Sequence, residues 1–194
     1  MSGPLTPEPA PAPIAPTAAP PADFVYADVP NRAIAYIIDA ILIGIIGFIV
    51  QAILGTVGLV PATINSDLTI TVNPVAALIV AALNLVIGAA YFIYTWTRMR
   101  ATIGMQALSM QVGNAGDGAT LTTDQAIRRW LAISAPGILA QVLLPLGTIG
   151  WVVSLMAFAW FIFLVYTTAS SPTKQGWHDV FANTMVVKGA RRVG

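Results

Sequence analysis

The stretch NRAIAYIIDAILIGIIGFIV, residues 31–50, decides the fold. Apart from Arg32 and Asp39 it is uncharged, and it has the ~20-residue length that spans a hydrocarbon core. A carboxylate inside such a run needs a partner, and that partner is the question the rest of the chain has to answer. An unpaired Asp a third of the way into a bilayer costs up to ~3 kcal/mol on insertion scales. The cost can be offset by a cation from another helix, a water-filled cavity or protonation.

Composition supports the membrane reading. Of 194 residues, 57% are hydrophobic and only 9% charged, against roughly 25% charged in soluble domains. The net charge of +1 argues against nucleic-acid binding. The chain contains no Cys and a single His, His178, so neither a disulfide framework nor a metal site is expected. No P-loop, no GxGxxG and no catalytic constellation occurs, so neither enzyme activity nor a cofactor is expected.

Outward from residues 31–50 the chain divides into three parts. Residues 1–30 hold nine of the fourteen prolines among many alanines. Such a segment reads as a disordered or polyproline-like tail. Residues 31–188 carry four apolar segments, and residues 189–194 form a short basic end. The first membrane helix is expected over 33–54. The loop 55–73 follows, with a β-prone LTITV. Asn73-Pro74 opens a second helix that runs to about Trp96. In the polar segment 98–129, Gln106–Val112 reads as a strand, NAGDG at 114–118 as a turn, and Thr122-Thr123 as a helix cap. Residues 130–169 split at LPLGT into Trp130–Leu144, either kinked and spanning or re-entrant, and Ile149–Thr168. The expected fold is all-α: four transmembrane helices, with short β-like segments in the polar loop and the tail. None of the nine Lys and Arg lies in 55–73 or 144–148. With four spans all nine fall on one side, so both termini are expected in the cytoplasm.

Arg32 and Asp39 are seven residues apart, on one helix face but ~10 Å apart along the axis. QGWHD at 175–179 adds a titratable pair, His178 and Asp179, just after the last span. RAIAYIID (32–39), TIGMQALSMQV (102–112), TTDQAIRRWL (122–131) and QGWHDVFANTMVV (175–187) occur in a characteristic order. This order resembles the RDD family of bacterial membrane proteins, named for an Arg and two Asp. The resemblance matches those three to Arg32, Asp39 and Asp179. The family's loop reads like TxGxxxLGLxVV, followed by an Arg-Trp helix start; Thr102, Gly104, Leu108, Val112 and Arg129-Trp130 fit. Met105 stands where a basic residue is usual, and Ser109 where a glycine is usual. The resemblance implies a bacterial inner-membrane location and admits transport, since cation/proton antiport is attributed to some members.

Arg32, Asp39 and Asp179, with His178 adjacent, are therefore expected as one charged cluster. It is either a structural ion pair or an ion or solute site. Asn84 sits in a stripe of small residues in the second helix, suited to interhelical hydrogen bonding or to substrate contact. Arg98, Arg100, Arg128 and Arg129 read as anchors to anionic lipid, as does Lys188–Arg192. Two functional classes stay open: a small ion or solute transporter, and an accessory or assembly subunit of a larger membrane complex. The expected partners are the bilayer and either other membrane proteins or further copies of the chain.

Overall fold

The computed structural model describes residues 25–189. The expectation of a disordered tail concerns mostly residues 1–24, which lie outside the described residues, as do Arg191 and Arg192 of the basic end. The described part begins with strand β1, Val25–Tyr26, inside the stretch that composition assigns to the tail.

Helix α1 runs Val29–Thr56, with Pro30 in its first turn, where a missing N–H costs nothing. Only Ala35 and Asp39 are buried along its 28 residues. Ile37, Ile41, Ile45, Phe48 and Ile53 are all more than half exposed. Water would not tolerate so continuous an apolar face, whereas lipid supplies its partner. A hairpin of β2 (Ala62–Ile64) and β3 (Ile70–Val72) links α1 to helix α2, Pro74–Tyr94. Asn73 caps α2, its side chain accepting from the Ala76 N–H at 3.1 Å. The helix widens into a π-helical turn at Thr95–Met99 and stops at Arg100, whose φ is +59°.

The next segment differs from the sequence expectation. A short helix α3, Ile103–Ala107, precedes strand β4, Met110–Asn114, so the strand starts four residues later than expected. Thr102 explains this, since its hydroxyl accepts from the Met105 N–H and starts a helical turn. Helix α4 spans Thr123–Leu143, opened by a reciprocal Thr122–Gln125 capping box. It begins seven residues before the expected Trp130 start, and is therefore long enough to cross a membrane. Pro136 lies inside α4 and offers no N–H to the carbonyl four residues back. That carbonyl, of Ala132, instead accepts from Trp160 Nε1 at 2.9 Å, which ties α4 to helix α5, Thr148–Ser170. A Cβ on Gly150 would sit 2.4 Å from the Leu143 oxygen, so only glycine permits this tight α4–α5 hairpin.

After α5 come helix α6, Trp177–Phe181, and strand β5, Thr184–Lys188. The strands β1, β5 and β4 form an antiparallel sheet in that order, with Val25 and Met110 both opposite Lys188. This sheet, α3 and α6 make a cap over one end of the bundle. Its core includes Ala27, Trp96, Met110, Val112, Leu121, Trp130 and Val186. Four helices long and apolar enough to cross a membrane, plus short strands in the loop and tail, make up the described chain.

Candidate functional site: two pinned carboxylates and two cavities

Asp179 is fully buried in the first turn of α6. Its Oδ2 accepts from Arg32 Nη1 at 2.7 Å and from the Gly176 N–H at 3.0 Å; its Oδ1 accepts from Arg129 Nη1. Arg129 also donates to Thr184 Oγ1 at 2.7 Å and lies over the Trp96 ring, 5.2 Å from its centroid. Arg32 further donates from Nε to the Ala27 carbonyl at 3.0 Å. One carboxylate therefore ties α1, α4, α6 and the sheet together. Burial works to raise the Asp179 carboxyl pKa, but Arg129 and Arg32 overcome it and hold that pKa well below the usual carboxylate range. Burial also depresses the neighbouring His178 to about 4. Its Nε2 is 3.5 Å from Asp179, and above that pH it is neutral and adds nothing to the pairing.

Asp39 has different company. Its Oδ1 accepts from Tyr91 OH at 2.6 Å and from the Gly104 N–H at 2.8 Å; its Oδ2 accepts from Thr102 Oγ1 at 2.6 Å. Tyr91 OH in turn accepts from the Ile103 N–H at 3.0 Å. A Cβ on Gly104 would lie 2.1 Å from the Ala35 oxygen, so glycine lets α3 press against α1. Thr102 and Gly104 are thus the two loop positions that grip the intramembrane acid.

The expected single cluster is therefore two. Arg32, Asp179 and His178 come together, while Asp39 shares no hydrogen bond with them. Two helical turns along α1 separate Asp39 from Arg32, and the Thr102–Gly104 turn fills the space beside it. Arg129, read from sequence as part of the loop motif and a lipid anchor, is 4% exposed and bonded to Asp179, so it is not a lipid anchor. Thr184 and Tyr91 went unrecognised as partners. The signal available for Tyr91 was its place on the same small-residue stripe as Asn84.

With this geometry in view, the comparison with protein families is decisive. The profile of the RDD family matches residues 26–183, which include all four long helices, α3, β4 and α6 but not β5. The chain belongs to the RDD family. Comparisons with curated proteins and with solved structures gave no match. Arg32, Asp39 and Asp179, the three residues that the sequence resemblance singled out, are all anchored, each to a different element from the one that carries it. Ser109 has a φ of +54°, the left-handed region that favours glycine.

Two cavities flank α1. The first, about 610 Å³, lies between α1 and α5, with Arg32, Asp39, Thr102, Arg129 and His178 at its polar end. The second, about 590 Å³, lies between α1, α2 and α4 and is lined by Gln51, Asn84, Ser134 and Gln141 among glycines and aromatics. Asn84 faces Gly47, whose added Cβ would stand 3.1 Å from the Asn84 Oδ1. Tyr36 and Ile133 wall both cavities.

Proposed function

We propose that this RDD-family membrane protein passes a small polar solute along α1, with the three family charges serving as a scaffold. One observation carries the reading. The two cavities share Tyr36 and Ile133 as wall residues, and together they line α1 from Val29 to Gln51. That is ~33 Å of helix at 1.5 Å per residue, close to the ~30 Å of a hydrocarbon core. Asp179 is ill suited to carrying a proton, because two arginines keep its carboxyl ionised across the working range. Asp39 already accepts three hydrogen bonds from the protein. The positive-inside rule puts the capped end, and with it both termini, in the cytoplasm of a bacterial inner membrane. No catalytic role is assigned.

The composition of the second cavity also favours the accessory-subunit reading, since glycines beside amides are what helices of different chains pack with. Purification in mild detergent separates the two: a stoichiometric larger complex favours the subunit. Reconstitution alone in liposomes tests transport. Asp39→Asn should lower the yield of folded protein, while the folded fraction keeps its flux. Intact folding with flux abolished would restore Asp39 as a carrier.

A further inference from the structure

The second cavity has an unusual wall for a membrane protein. No Asp, Glu, Lys, Arg or His lines it, yet Gln51, Asn84, Ser134 and Gln141 do. Each of these side chains can both donate and accept, and no side-chain hydrogen bond joins any of them to a described residue. Ser134 makes the point independently. The other Ser and Thr hydroxyls beyond the first turn of the long helices, those of Thr56, Thr95, Thr97, Ser154, Thr167, Thr168 and Ser170, each bond a carbonyl of their own helix. Ser134 does not, and faces the cavity. Gln51 and Gln141 are exposed near the ends of α1 and α4, where water or headgroups can reach them, whereas Asn84 and Ser134 are half-buried in mid-helix, where a hydrocarbon surround leaves such groups in need of a partner. An ion is a poor candidate, because leaving water for a site without a countercharge is too costly. Phe48, Phe92 and Trp130 add apolar faces between the polar groups. Alternating amides and aromatic faces suit a molecule with hydroxyls on a carbon chain and no charge.

We propose that the cavity between α1, α2 and α4 is a binding site for an uncharged polyhydroxy solute, held by Gln51, Asn84, Ser134 and Gln141. This substrate class rests on the transport reading above. Gly44 lies on the cavity wall, and a Cβ there meets nothing within 4 Å. Gly44→Leu therefore fills the site without a clash at its root, and Asn84→Leu removes the central amide with little change of shape.

The full chain is reconstituted in liposomes, and swelling in erythritol and in mannitol is followed by stopped-flow light scattering. Sodium and potassium entry is measured in parallel. Erythritol entry at least fivefold faster than in empty liposomes is expected, falling to the empty-liposome rate in Gly44→Leu and Asn84→Leu. Gel filtration and thermal melting establish that the variants fold; should Asn84→Leu not fold, Gln141→Leu replaces it. Polyol entry that both cavity variants leave unchanged overturns the site. Cation entry without polyol entry overturns the substrate class and leaves transport standing. Entry of neither overturns the transport reading and the substrate class with it.

Discussion

Asp179→Asn is the sharpest test of the scaffold. The substitution keeps the shape and removes the charge. It leaves Arg129, 4% exposed, and Arg32, 13% exposed, with no carboxylate. Removing one partner of a buried ion pair costs ~3–5 kcal/mol, because the remaining charge stays desolvated. The same range is expected here, since the Asn oxygen still accepts one bond while two guanidiniums go uncompensated. Reversible denaturation in detergent, followed by tryptophan fluorescence, suits the cap: Trp177 stacks on Phe181 and meets Trp160 edge-on. Asp124→Asn is the internal control, because its pair with Arg128 is exposed on both sides and is worth under ~0.5 kcal/mol. The double variant Asp179→Asn, Arg129→Gln should lose less than the sum of the two single losses, by more than ~1 kcal/mol. A loss of under ~1 kcal/mol for Asp179→Asn, matching the control, would refute the claim that this carboxylate holds the cap to the bundle.

Three further outcomes follow from the same geometry. Gly104→Ala should cost ~3 kcal/mol or more and expose the 102–112 loop to proteolysis, since the new methyl meets the Ala35 carbonyl rather than a side chain that can turn away. Ser109→Gly should raise stability by ~0.5–1 kcal/mol in thermal melts, because the left-handed cost of a non-glycine residue outweighs the extra freedom that glycine brings to the unfolded chain. His178 is held neutral by burial with a pKa of about 4, below its unfolded value. The unfolded chain then takes up a proton that the folded chain refuses, so the His178 contribution is full above ~6.5 and ~3 kcal/mol of stability is lost as pH drops toward 4. Asp179 adds a loss of its own below about pH 5, where the unfolded carboxyl begins to take up a proton that the folded one refuses. Denaturation between pH 7 and about 5 should show the onset of this fall in the native protein and a nearly flat profile in His178→Gln.

The four spans were legible because each is a long apolar run, and the hydrophobic period is a local signal. Thr122 announced α4, yet the apolar run that follows drew the expected start to Trp130. The polar first turns, Thr123–Arg129, belong to the helix through their capping box. Asp39 was legible as a residue in need of a partner, but not which one. Its donors come from Tyr91, 52 residues on, and from a turn 63 to 65 residues on, and they include a backbone N–H, which every residue carries and no sequence pattern singles out. The paired strands were legible only as β-like segments, since the register of β4 with β5 joins residues some seventy positions apart. The cavities were invisible for a similar reason. Glycines on three helices make space only once those helices are side by side.

The Arg32–Asp179 pair closes a span of 147 residues. During synthesis the arginine of the first helix enters the bilayer long before its acid leaves the ribosome, and Arg129 waits as well. A nascent or prematurely ended chain therefore carries two uncompensated cations at its lipid boundary. Both cations find their countercharge only when Asp179 arrives, 147 residues after Arg32 and 50 after Arg129.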